Sequence, residues 1–140
     1  MSDGQDPRAP RPAAAWIAIA WLIAIVVLSA TASLRPHLVL QWSHLLPGRD
    51  KTGHFLLMGG FGAVSVLAFA GRRVAARRVS ALAVAGVVAL IVVLEEFAQI
   101  WLPNRTFSGV DLASSLSGVA SFGALAALWR TRGERGTEKR

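Results

Sequence analysis

The chain contains no cysteine, which excludes disulfide bonds and thiol chemistry and leaves no clue to the redox compartment. It has no internal repeat. Its apolar stretches lack the strict alternation of membrane-barrel strands, so strands are not expected to span a bilayer here. No H-E-x-x-H or comparably tight motif occurs. Hydrogen bonding without a metal is therefore the favoured reading of the polar residues, and no cofactor is implied. Acidic residues are scarce, 8 against 15 basic ones, for a net charge of +7. Such a balance can signal nucleic-acid binding. Here the basic residues sit between long apolar runs, so bilayer topology accounts for them and no nucleic-acid partner is expected.

What the chain does have is apolar sequence. Of its 140 residues, the length of one domain, 54% are hydrophobic, and the mean hydropathy is +0.49. These values suit a membrane protein better than a soluble one. Four runs stand out, over 13–34, 53–70, 79–102 and 110–129. Each approaches or exceeds the roughly 17 residues needed to cross a hydrocarbon core about 30 Å thick. The first run follows Arg8 and Arg11, and Ala30-Thr31-Ala32 has the look of a signal-peptide cleavage site. Its length exceeds the usual apolar region of about 7 to 15 residues, so it reads as an uncleaved anchor.

Loop charges orient the spans. The regions before the first run, between the second and third (Arg72, Arg73, Arg77, Arg78) and after the fourth together carry eleven Lys and Arg. The opposite side carries Arg35, Arg49, Lys51 and Arg105. The excess places both termini in the cytoplasm. Trp16 and Trp129 fall near inner helix ends, Trp42 and Trp101 near outer ones, as an interfacial belt requires. Trp21 lies deeper and is expected to pack or to face lipid. Between the first two runs, Leu38, Val39, Trp42, Leu45 and Leu46 share a helical face, with Pro36 able to start the helix and Pro47-Gly48 able to end it. A short amphipathic helix on the outer surface is expected there, with His37 and His44 as solvated residues.

The expected fold is thus an all-α bundle of four transmembrane helices with that outer-surface helix between the first two. A disordered cytoplasmic N-terminus over 1–12 precedes the 13–129 domain, and a basic cytoplasmic tail over 130–140 follows it.

The remaining polar residues converge on the outer side. Asp50, Lys51 and His54 open the second run, and Glu95, Glu96 and Gln99 lie near the end of the third. Asn104 and Arg105 follow in a short loop. Asp111 opens the fourth run with Ser115 one turn deeper. The four-residue steps Asp50–His54, Glu95–Gln99 and Asp111–Ser115 put each pair on one helical face. Residues 79–94 would span about 24 Å as a helix, so Glu95 lies inside the hydrocarbon or at its outer boundary. A carboxylate there is costly and normally faces the bundle interior with partners. Arg105, Lys51 and His54 are the available cations. These ten residues are the ligand-binding candidates, and His54, Glu96 and Asp111 are the candidates for any catalysis. The glycines of the second run, and Ser114, Ser117, Gly118, Ser121 and Gly123 of the fourth, read as close-packing positions. Asp111 could equally serve only as an acidic residue at a helix N-terminus. The whole cluster could also be a purely structural network.

The order of these pieces resembles the VanZ-like family of bacterial membrane proteins. The matching stretches are Asp50-Lys51-Thr52-Gly53-His54-Phe55, Glu95-Glu96-Phe97-Ala98-Gln99, Pro103-Asn104-Arg105, Ser108-Gly109-Val110-Asp111 and Gly118. They follow a pattern of D-K-x-x-H, E-x-x-Q, P-x-R and S-x-x-D, and the likeness spans about residues 13–129. The family commonly has asparagine where this chain has Ser115, and an aromatic where it has Met58. The resemblance implies a multi-pass protein of the bacterial cytoplasmic membrane. It also implies a link to the cell envelope, since the named member is associated with resistance to the glycopeptide teicoplanin. It implies no reaction.

Three functions are compatible with this reading. One is a site that recognises an envelope component, either a lipid-linked precursor or an anionic lipid head, with Lys51 and Arg105 binding phosphate or carboxylate. A second is a membrane enzyme acting on a lipid phosphate at the outer leaflet. A third is a structural or assembly partner in the membrane with no small-molecule site. Membrane lipids are partners in all three. Transport is disfavoured because the inner side offers no matching intramembrane polar residues.

Overall fold

The computed structural model describes residues 12–38, 50–74 and 77–138. Helix α1 spans Pro12–Leu34, α2 Asp50–Phe69, α3 Ala81–Ala98 and α4 Gly109–Glu138. A two-residue strand pair, β1 (Arg73–Val74) and β2 (Arg77–Arg78), joins α2 to α3, and a 3₁₀ turn over Gln99–Trp101 extends α3. All four helices are long and apolar enough to span a membrane. Helix α2 starts earlier than its apolar run, because Asp50, Lys51 and His54 form its first turns. Helix α4 continues through residues 130–138 of the stretch read from sequence as a basic tail. Residues 36–38 are helical. The rest of the expected outer-surface helix, with Trp42 and His44, lies outside the described residues, as does the N-terminus before Pro12.

Large apolar side chains cover the outside of the bundle, and the interior, though mostly apolar, also holds polar residues. Glu96 is 2% exposed while Leu82 is 83% exposed. Apolar side chains on the outside and polar ones within suit a lipid surround, where lipid tails are as apolar as leucine.

Each helix turns one stripe inward. On α3 the buried residues are Val84, Val88, Val92 and Glu96, one turn apart, so Glu96 continues a valine stripe into the bundle. On α1 the buried apolar residues are Ala18, Ile25 and Ala32, spaced by seven, as a helix crossing at a shallow angle requires. Trp21 packs rather than facing lipid: its Nε1 donates to Leu57 O at 3.0 Å and its ring covers Gly60. Ile25, Met58, Phe61, Val88, Val92 and Val119 form the main core cluster.

Helices α2 and α4 make the closest pair, and glycine permits it. A Cβ on Gly118 would collide with Phe55 O, and one on Gly59 would come within 3.0 Å of Gly118 O. The missing side chains let the two backbones approach, as at small-residue interfaces generally. Phe55 and Phe122 meet edge to face at 5.5 Å beside this contact.

The ends are capped by sequence-local chemistry. Ser80 Oγ accepts from Ala83 N at 3.0 Å and starts α3. Gly71 takes φ +82°, the left-handed conformation that commonly ends a helix. Arg130 Nη1 donates to Leu67 O at 3.0 Å, satisfying one of the terminal carbonyls of α2 and complementing its dipole.

Candidate functional site

The end of α1, the start of α2, the end of α3 and the start of α4 meet at one end of the bundle. The connection between α3 and α4 closes it. Glu96 organises the start of α4. Ser108 is the N-cap residue: its Oγ accepts from Asp111 N at 3.2 Å. Its own N–H donates to Glu96 Oε1 at 2.9 Å. In an ordinary capping box, the carboxylate three residues into the helix would accept that N–H. Here Glu96, from the neighbouring helix, takes the role and Asp111 is released from it. The chain Ser108–Glu96 therefore fixes α4 to α3.

The released Asp111 carboxylate is 16% exposed. Its Oδ1 is buried and has no hydrogen-bond partner. Lys51 Nζ lies 3.8 Å from that atom and 3.5 Å from Asp50 Oδ1. The longer separation is ion-pair distance and too long for a hydrogen bond. Lys51 and Asp50 are both about half exposed, so they form a solvent-side rim above Asp111. One turn deeper, His54 Nδ1 lies 3.3 Å from Ser115 Oγ, with Ser115 buried. Either group can donate, depending on the histidine tautomer.

A second set of contacts runs across α1, α3 and the following loop. Glu95 Oε1 accepts from Ser29 Oγ at 2.8 Å and from Gln99 Nε2 at 2.9 Å. Gln99 Oε1 accepts from Arg105 Nε at 3.0 Å and Nη2 at 2.6 Å. The buried Gln99 amide thus stands between a carboxylate and a guanidinium, offering N–H to one and carbonyl to the other. Ser33 Oγ donates to Pro103 O at 2.6 Å, and Asn104 Nδ2 donates back to Ser33 O at 3.0 Å. Asn104 adopts φ +59°, a conformation that asparagine tolerates better than most residues. The loop is thereby pinned to the end of α1.

These contacts correct one expectation. Arg105, Lys51 and His54 were the expected partners of Glu95 and Glu96. Among the described residues, neither glutamate forms an ion pair. A serine hydroxyl, an amide and a backbone N–H serve them instead. The reason is geometric: Gln99 lies one turn beyond Glu95 and occupies the space through which Arg105 would reach.

All ten expected site residues sit at this end, in two linked halves. Asp50, Lys51, His54, Asp111 and Ser115 belong to the α2–α4 half; Glu95, Gln99, Asn104 and Arg105 to the α1–α3 half. Glu96 joins the halves through Ser108. The structure adds two residues not singled out in the sequence, Ser29 and Ser33, one turn apart at the end of an apolar helix, and gives Ser108 of the S-x-x-D motif a capping role. Ser29 and Ser33 carried a signal, since polar residues at four-residue spacing in an apolar helix face one neighbour. Among the described residues, no group of three His, Asp or Glu side chains is placed to hold a metal.

Glu95 and Glu96 are served by neutral donors, which leaves Arg105 without a carboxylate partner among the described residues, while Lys51 lies at ion-pair distance from Asp50 and Asp111. Arg105 Nη1 makes no hydrogen bond among the described residues, and its positive charge meets only an amide oxygen. Such a group can donate to an anionic oxygen. Comparison with protein-family profiles, with characterised proteins and with solved structures gave no match.

Proposed function

We propose that this chain is a VanZ-like integral membrane protein whose polar end recognises the anionic part of a cell-envelope component, a lipid-linked precursor or an anionic lipid head. In this reading the polar end faces outward from a bacterial cytoplasmic membrane, with both termini inside. The observation that carries it is the state of Arg105: oriented by two hydrogen bonds to Gln99, yet paired with no carboxylate among the described residues. A network whose purpose was only to bind helices together would be expected to place Glu95 or Glu96 on that guanidinium. Lys51, at the rim, supplies a second cation. The order of the sequence motifs supports the same reading, since every motif contributes a contact at this end.

The test is to express Arg105→Gln and Glu96→Gln separately, confirm membrane insertion and helicity, and measure teicoplanin susceptibility of the host. Loss of protection in the Arg105 variant is expected; full protection by both variants would reject the site.

The contact between His54 and Ser115 favours a second reading, an enzyme acting on a lipid phosphate, in which His54 moves a proton. Turnover of a lipid phosphate by purified protein, abolished by His54→Ala, would establish this reading over binding alone.

A further inference from the structure

The opposite end of the bundle carries a second feature, independent of the site just described. Arg73 pairs with Arg78 across the β1–β2 ladder, and Val74 pairs with Arg77. Directly opposed residues of an antiparallel pair project to the same face, with Cβ atoms about 4.5–5.5 Å apart, and like charges there repel. The backbone alone does not require this: the hairpin is held at its base by Gly71 N–H to Val79 O and Val79 N–H to Arg72 O, both at 2.8 Å. Arg73, Arg77 and Arg78 are exposed and have no acidic partner among the described residues. Arg72 is drawn over the Phe69 ring, 4.8 Å from its centroid, and its buried Nε has no hydrogen-bond partner. Arg130 lies against Gly71, at the foot of the hairpin. Arg132 follows on α4, with Glu134 and Glu138 farther along that helix.

Bilayer topology explains why these residues are basic. It does not explain why two of them are placed face to face across a strand pair. An anion between Arg73 and Arg78 would turn the repulsion into attraction, and guanidinium groups match phosphate geometry. The hairpin joins two membrane-spanning helices directly, so its side chains sit at headgroup level. The other face of the ladder carries Val74 and Arg77, both exposed.

We propose that the arginine hairpin is a binding site for the phosphate of an anionic phospholipid head, clamped between Arg73 and Arg78.

The test uses the full-length protein in neutral detergent, titrated with phosphatidylglycerol or phosphatidylcholine, with bound lipid counted by native mass spectrometry. Two arginines at an anionic surface correspond to roughly tenfold or more in affinity. The double variant Arg73→Gln/Arg78→Gln should therefore lose phosphatidylglycerol binding by about that factor, with helicity unchanged. The variant Arg73→Lys/Arg78→Lys, which keeps the charge but not the planar fork, should bind more tightly than the Gln variant and less tightly than the wild type, and Arg35→Gln, which removes charge at the other end, should change the affinity less than twofold. Unchanged affinity in the Gln variant, an equal loss in Arg35→Gln, or equal binding of phosphatidylcholine would each overturn the proposal. Full displacement by millimolar inorganic phosphate would also overturn it, by showing that free phosphate and not the lipid is the ligand. Repeating the comparison in an Arg105→Gln background removes any lipid held at the other end, so the outcome does not depend on the function proposed there.

Discussion

Substituting Gly118 by alanine isolates the contact on which the bundle depends. A Cβ at this position would overlap Phe55 O and come within 3.1 Å of Gly59 N. Both atoms are backbone, so no side-chain rotation relieves the clash; α2 and α4 must move apart. Overpacking of this kind costs about 1–3 kcal/mol. Separation would also loosen the 5.5 Å Phe55–Phe122 pair and lengthen the 3.3 Å His54–Ser115 contact one turn away. The matched control is Gly86→Ala, where an added Cβ meets nothing within 4 Å. There alanine should be neutral or stabilising, by up to about 1 kcal/mol from helix propensity. Unfolding of both variants in detergent, followed by circular dichroism against denaturant, gives the comparison. The expected difference is at least 1 kcal/mol against Gly118→Ala. Equal stability of the two variants would refute glycine-mediated packing of α2 on α4.

Other perturbations address the polar end and the topology. Ser108→Ala removes the N-cap acceptor of α4 and should destabilise the protein by about 0.5–2 kcal/mol in the same denaturation assay. Gln99→Leu removes the amide that joins Glu95 to Arg105 and leaves both with fewer partners; a loss of about 1–3 kcal/mol is expected, whereas replacing the exposed Leu82 by alanine should cost far less. Because the chain has no cysteine, single variants Asp50→Cys and Arg77→Cys can be labelled in intact cells with a membrane-impermeant maleimide. Labelling of the first and protection of the second is the outcome expected for an outward polar end.

The spans were legible because the signal is length of apolar sequence, which a bilayer makes nearly sufficient. The convergence of Asp50, His54, Glu95, Glu96, Arg105 and Asp111 was legible too, since alternate helix ends must share a side. The partners were not. Whether Glu96 meets Arg105 or Ser108 depends on the path of residues 102–108, and that path depends on Asn104 adopting a positive φ and on Ser33 holding Pro103. Neither constraint leaves a periodic trace in the sequence. The hairpin was hidden for another reason: a short run dominated by arginine gives no alternation to read. The onward course of α4 was obscured because its last turns lose the apolar pattern while keeping helical backbone.

The most direct test of the central claim is the affinity of the purified protein for a lipid bearing an anionic pyrophosphate head, compared between the wild type and Arg105→Gln. A hydrogen-bonded charge contributes about 1.5–3 kcal/mol, so the account predicts a loss of roughly ten- to a hundredfold, with the Arg73→Gln/Arg78→Gln variant retaining wild-type affinity for that head at the Arg105 end. Equal affinity in the wild type and Arg105→Gln would contradict it.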